Sequence, residues 1–459
     1  MTQITSDDAT REHVSITDAD VEAAHGLLEF IQACPSMFHT AQTIARRLDD
    51  AGFTRLREGD AWSVEPGSCC YVVRNNSSVI AFKVGEGATD SGRFHFQLSA
   101  THGDSPTFKV KDVATLDGPE GGLRLNVEAY GGMIDYTWFD RPLSLAGRVF
   151  VQVDERVESR LVSLDRPVAM IPSLAIHLDR SMNDAFSPNR ATDVCPLVSA
   201  GLMDEATFDR LVADAAGVEP EQVLARDLFL VNLQQPCVWG AEHEFISSPK
   251  LDDLMCAYVS LEAFLEARNT AAVSVYCCFD NEEVGSNTKQ GAMSTFLPDV
   301  LVRLSAALGA GEEGYRRALA KSMLVSCDNA HAVHPNHPER YDASNRCRLN
   351  GGLVVKEAAN QHYCTDAFSR AVLAAVCRRA EVPLQTFANR SDMAGGSTLG
   401  NLSNIQASMH AVDVGCPQLA MHSSYETAGT RDVTLATKAL KAFFEADLRI
   451  VEADAVDIA

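Results

Sequence analysis

Apolar positions recur with a helical period near the start of the chain, at Val21, Leu27, Leu28 and Ile31, and stop before Cys34-Pro35. This predicts a first helix. Ile44 and Leu48 predict a second, ending near Gly52. The polar stretch 1–18 predicts a frayed end. Short β-like runs follow at Cys70–Val73, Val79–Val84 and Phe94–Ser99. From about 107 to 235 the texture changes to short strands separated by turn residues, at Leu123–Val127, Gly147–Val153 and Val168–Ile171, with a helical piece over 203–216. From about 240 onward strands alternate with long helical patterns: Asp253–Ala267, Thr365–Ala380 and Val433–Val451. Such alternation predicts an α/β fold with a mixed, largely parallel sheet flanked by helices, and 107–235 reads as a β-rich insertion.

Four apolar runs share an ending. Val273-Ser-Val-Tyr-Cys-Cys-Phe runs into Asp280-Asn-Glu282-Glu283. Ser322–Cys327 ends on Asp328, Gln418–Met421 on His422, and Phe94–Thr101 on His102-Gly-Asp104. In an α/β protein ligands sit beyond the carboxyl ends of the strands. Runs that end on carboxylate or imidazole therefore converge on one polar cleft, and that donor mixture suits zinc, manganese or cobalt. The pattern predicts a two-metal hydrolase.

Length and charge narrow the picture. A chain of 459 residues is too long for one ordinary core. A net charge of −23 argues against nucleic acid and against anionic membrane surfaces. No run approaches 18 apolar residues, so no membrane span is expected. The first residues carry no secretory pattern. Thirteen scattered cysteines without a C-x-x-C pair predict a reducing, cytoplasmic setting without disulfides.

Each motif has chemistry to offer. In Glu282-Glu283, neighbours on an extended chain point opposite ways, so one can bind metal while the other serves as general base. Asp252-Asp253 opens a helix, which leaves one acid to cap and one to ligate. In His102-Gly-Asp104 the aspartate can fix the histidine's tautomer. His331, His334 and His337 are evenly spaced, but His334 and His337 each precede a proline, which disfavours the helix that would align them. Gly309-Ala-Gly-Glu-Glu-Gly314 follows a helical run rather than a strand, so it lacks the dinucleotide-binding context. There is no H-E-x-x-H, P-loop or G-x-S-x-G.

Together these strings resemble the M18 metallo-aminopeptidases, the aspartyl aminopeptidase family, across nearly the whole chain. The marks are His102-Gly-Asp-Ser-Pro, Tyr130-Gly-Gly with Trp138-Phe-Asp-Arg141, Ile171-Pro-Ser-Leu-Ala-Ile-His177, Lys250-Leu-Asp252-Asp, Asp280–Ser286, Asp328-Asn-Ala-His331-Ala-Val-His334-Pro and Gln418–Ser423.

The resemblance implies a zinc-exopeptidase-like catalytic domain over 19–106 and 236–459, and a dimerisation domain over 107–235. It implies two zinc ions per subunit, with manganese or cobalt as substitutes. Asp252 bridges them, and His102, Asp328, Glu283 and His422 complete the ligands. Glu282 is the general base and Asp104 orients His102. His177 enters the site of a neighbouring subunit in a homo-oligomer, a tetrahedral dodecamer built from dimers.

The substrate implied is a peptide with an acidic N-terminal residue. Lys356 is the candidate cation for its side chain, with His331 also assigned to substrate binding. A broader specificity for neutral residues, or a dinuclear-zinc carboxypeptidase or deacylase, are the alternatives. The chain departs from the family pattern at Gly103, where threonine is usual, at Asp253, where asparagine is usual, and at Pro142, where an acid is usual.

Overall fold

The structure is a computed structural model that describes residues 15–90 and 92–459. The expectation of a frayed 1–18 therefore lies, for 1–14, outside the described residues. Helix α1 (Asp18–Gln32) is already formed at Asp18, because Thr17 and Asp20 cap it reciprocally. Helix α2 (Met37–Asp50) follows, then strands β1 (Thr54–Leu56), β2 (Cys69–Arg74), β3 (Ser78–Val84) and β4 (Phe96–His102).

At the end of β4 the chain leaves for a second sheet. This is built from β5 (Thr107–Asp117), β6 (Leu123–Tyr130), β7 (Leu143–Val153), β8 (Arg156–Ser163), β9 (Leu197–Ser199) and β10 (Val223–Asn232), with α3 (Glu205–Ala216) against it. Its order is β8-β7-β10-β5-β6-β9, antiparallel throughout. It encloses its own core around Phe108, Leu125, Val149 and Phe208. In place of the strand expected over 168–171, Ala169, Met170 and Ile171 form isolated bridges to Leu143, Leu197 and Phe139.

The chain then returns through β11 (Cys237–Trp239), β12 (Phe245–Ser248) and α4 (Leu251–Glu266) to β13 (Val273–Phe279). Beyond it lie α5 (Phe296–Ala307), α6 (Gly311–Leu319), β14 (Met323–Cys327), β15 (Ala330–His331), β16 (Leu353–Glu357), α7 (Ala367–Arg379), β17 (Leu384–Ala388), α8 (Leu399–Gln406), β18 (His410–Gly415), β19 (Pro417–Leu419), β20 (Glu426–Gly429), α9 (Thr430–Glu445), β21 (Leu448–Glu452) and β22 (Ala455–Ile458). The helix expected over 433–451 stops at Glu445, and Leu448–Glu452 instead pairs with Ala455–Ile458 as a hairpin.

The main sheet has nine strands in the order β1-β2-β3-β13-β4-β14-β18-β16-β17. Its centre, β13-β4-β14-β18, is parallel. Such strands are buried on both faces, and β13 shows why its sequence is a continuous apolar run. Val273, Val275, Cys277 and Phe279 pack under α5, α6 and α8, while Tyr276 and Cys278 pack under α4 and α9. Because the central strands run the same way, their carboxyl ends emerge together, with Phe279 in register with His102. All thirteen cysteines are free thiols. No helix among the described residues is long and apolar enough to cross a membrane.

Candidate metal centre

Of three overlapping groups of donor atoms that meet at this edge, two share Asp252. His102, Asp252, Asp253 and Asp328 each bring a ligand atom within 4.8 Å of the others, as do Asp252, Glu283 and His422. His102 Nε2 lies 3.6 Å from Asp252 Oδ1 and 3.9 Å from Asp328 Oδ1. His422 Nε2 lies 3.5 Å from Asp252 Oδ2 and 3.4 Å from Glu283 Oε2. The two oxygens of Asp252 thus face the two groups separately. Glu282 stands beside His102 and Glu283.

Local structure presents these side chains in ways that the sequence pattern did not anticipate. Glu282–Val284 is a single 3-10 turn between two left-handed residues, Asn281 and Gly285, rather than the extended chain expected. A short turn keeps both glutamates on the cleft side. Asp252 and Asp253 have non-helical backbone angles within the first turn of α4. Asp253 does not cap that helix, and its Oδ2 instead accepts from the His102 backbone N–H at 3.2 Å. His422 ends no strand of the main sheet: β19 belongs to a separate five-stranded sheet, and His422 sits beyond it with φ 66°.

Other residues hold the donors in place. Asp104 accepts from the Glu282 and Glu283 backbone N–H groups at 3.2 Å each and from Tyr130 Oη at 2.8 Å. The His102 ring meets the Asp104 backbone carbonyl at 3.1 Å, with the carboxylate 3.4 Å away. Glu426 spans the two groups, accepting from the Asp252 N–H at 2.9 Å and the His422 N–H at 2.7 Å. No motif in the sequence marks Glu426; its only signal is an acid four residues beyond His422. Gly131 is in the left-handed region (φ 81°), and a Cβ there would lie 3.1 Å from Glu283 Cβ. That explains the Tyr130-Gly-Gly string, which carries the second sheet up to the cleft.

The electrostatics ask for positive charge. Burial and neighbouring acids push Glu282 up to about 8 and raise Glu283, Asp253 and Asp328 as well. Burial opposes charge on both histidines. Nevertheless the carboxylates raise His102 well above its ordinary value and His422 to about 9. Asp252 Oδ1, Asp253 Oδ1 and Glu283 Oε1 are buried without a hydrogen-bond partner. Orphaned carboxylate oxygens cost free energy unless a cation takes them. These donors fit divalent metals.

The remaining sequence candidates divide. Lys356 is buried beside the centre, with its ammonium donating to the Asp328 carbonyl at 2.7 Å and lying 3.7 Å from Asp328 Oδ2. His331 lies against Phe387, and burial with Lys356 nearby pushes it down to about 4, so it is neutral. His177 is not in this cleft within one chain. It is exposed on the 172–193 loop, flanked by Leu174, Ile176 and Leu178, which are 60%, 46% and 76% exposed.

Residues 30–444 match the family model for the aminopeptidase I zinc metalloproteases (M18). A probable M18 family aminopeptidase 2 of Clostridium novyi is 40% identical over 432 residues, covering 92% of this chain and 99% of that protein. Its namesake in Pseudomonas paraeruginosa is 41% identical over 429 residues, with 92% and 98% covered. Among solved structures, the cryo-EM structure of the Ape4 and Nbr1 complex contains a chain that superposes with a TM-score of 0.89 at 36% identity, covering 94% of this chain and 87% of that one. The S. cerevisiae mApe1 dodecamer superposes at 0.82 with 28% identity, covering 93% and 97%.

Proposed function

The chain belongs to the M18 family of zinc aminopeptidases, hydrolases of the exopeptidase class, and on that basis we propose that it removes acidic N-terminal residues from peptides with a two-metal centre bridged by Asp252. The observation that carries this reading is that the two Asp252 oxygens face separate donor groups. His102 and Asp328 would hold one ion, and Glu283 and His422 the other. The donors suit zinc, with manganese or cobalt as substitutes. Bound there, the ions would polarise the scissile carbonyl and lower the pKa of a water between them to roughly 7.

Glu282 is not needed as a ligand in this scheme, so its carboxylate takes the proton from the attacking water and returns it to the leaving amine. Asp104 sets the backbone that aims Glu282, through the N–H bonds described above. Lys356 and His331, side by side beyond Asp328, line the place for the substrate's side chain, and an acidic side chain suits the charge of Lys356.

His177 supports an assembled enzyme. We read residues 107–235 as the dimerisation domain and 19–106 with 236–459 as the catalytic domain. Exposed Leu174, Ile176 and Leu178 form an apolar rim that a second subunit would cover. His177 would then enter the neighbour's cleft and steady the developing oxyanion. A cytoplasmic homo-oligomer, a tetrahedral dodecamer built from dimers, fits this reading.

The test is release of p-nitroaniline from Asp-, Glu-, Leu- and Ala-p-nitroanilides, before chelation, after it, and after zinc is restored. Metal-dependent release fastest on Asp or Glu is expected. Metal-dependent release fastest on Leu would keep the mechanism and overturn the acidic preference.

A further inference from the structure

Away from the metal centre, where the two large sheets meet, lies a groove of about 730 Å³. One wall is α2 with β1 and β2. The other is β7 and β8. Both β1 and β8 are edge strands of their sheets. Four guanidiniums line the groove, from Arg46, Arg55, Arg148 and Arg160. The one acid among the lining residues is Asp49, which already accepts from Tyr71 Oη at 2.7 Å.

The four arginines are not equivalent. Arg148 is fixed: its Nε donates to Asp227 at 3.0 Å, its Nη1 to the Asn75 carbonyl at 2.7 Å, and its plane lies 4.1 Å from the Phe38 ring centroid. Arg160 donates to Glu158 at 2.5 Å. Arg46 and Arg55 are exposed and have no carboxylate partner within salt-bridge distance among the described residues. On a chain of net charge −23 this is a local reversal of sign, and such a concavity concentrates anions.

We propose that this groove binds a compact polyanion of the oligophosphate class, which ties the two sheets together. Arginine's planar fork matches phosphate oxygens in pairs. A cavity of this size at a junction between structural units suits a small molecule carrying several charges rather than a single ion. Gln42 and Ser159 also line it, offering neutral donors to oxygens that only accept. Neither Arg46 nor Arg55 touches the metal centre, so this site stands independently of the peptidase reading.

The probe is inorganic tripolyphosphate, added to the full-length metal-loaded protein, with calorimetric titration and thermal unfolding as readouts. A ligand that binds the folded state raises the unfolding midpoint. Loss of metal to the probe would lower it, so the sign separates the two effects. The expected result is a raised midpoint in the wild type. In R46Q/R55Q binding should be at least about tenfold weaker and the rise should vanish, with basal peptidase activity unchanged. If the double variant unfolds, the same comparison is read on each single variant. No rise, an equal rise in wild type and variant, or an equal rise with sulfate at matched ionic strength would overturn the proposal.

Discussion

Two acidic regions of this molecule, one half-buried and one buried, resolve their charge in opposite ways. In the second sheet Asp227 meets Lys109 at 2.9 Å and Arg148 at 3.0 Å. Burial works against its charge, yet the two cations hold its carboxyl below the ordinary range. In the cleft Glu282, Glu283, Asp253 and Asp328 are pushed above that range by burial and by nearby carboxylates. Lys356, His102 and His422 stand near them. Lysine and arginine close on the single carboxylate of Asp227, whereas the carboxylates of the cleft outnumber the one lysine beside them. The difference distinguishes a structural ion pair from a metal centre without reference to any bound ion.

The sharpest way to break the comparison is inside the cleft. Asp252→Asn should lose metal and lower kcat/KM by more than about 100-fold, since residues behind the ligands already cost about 10- to 100-fold. Glu282→Gln should lower kcat by at least about 100-fold while metal content, read by elemental analysis, stays at the wild-type level. Wild-type turnover in Glu282→Gln would remove it as the base.

Next in size is His177→Phe, which should lower kcat by about 100-fold in an intact oligomer, as loss of an oxyanion donor does. Unchanged kinetics in an oligomer of normal size would take His177 out of the site. Glu426→Gln should weaken metal binding by about 10- to 100-fold in competition with a chelator, because Glu426 holds both Asp252 and His422 by their backbones. Unaltered metal affinity would reduce it to a packing residue.

The smallest effect belongs to the paired acid. Asp227→Asn should cost about 1 kcal/mol of stability at neutral pH, the modest worth of a half-exposed ion pair. Its folded pKa is lowered, so this stability is present above the ordinary value of 3.8 and fades as the pH falls through the folded value. Denaturant midpoints for wild type and variant should therefore converge in acid. A gap that widens there would contradict the pairing.

Much of this was legible in the chain because parallel strands print their burial directly. The apolar run into Asp280 and the one into Asp328 announced both the central strands and the ends where polar residues gather. Composition could not give local backbone shape. The 3-10 turn at Glu282 depends on left-handed residues at Asn281 and Gly285, and the entry into α4 on non-helical angles at Asp252 and Asp253. Glu426 was hidden because it acts on backbone N–H groups far apart in sequence, which no periodicity reports. The strand expected at Gln418–His422 is too short and lies in another sheet, so His422 reaches the cleft by a loop.

The central claim is that one carboxylate, Asp252, joins two ions in a working pair. Titrating zinc into chelated protein while following Asp-p-nitroanilide hydrolysis tests it most directly. The account predicts no activity without metal and a plateau at two equivalents per subunit. A plateau at one equivalent, or full activity in the chelated protein, would contradict it.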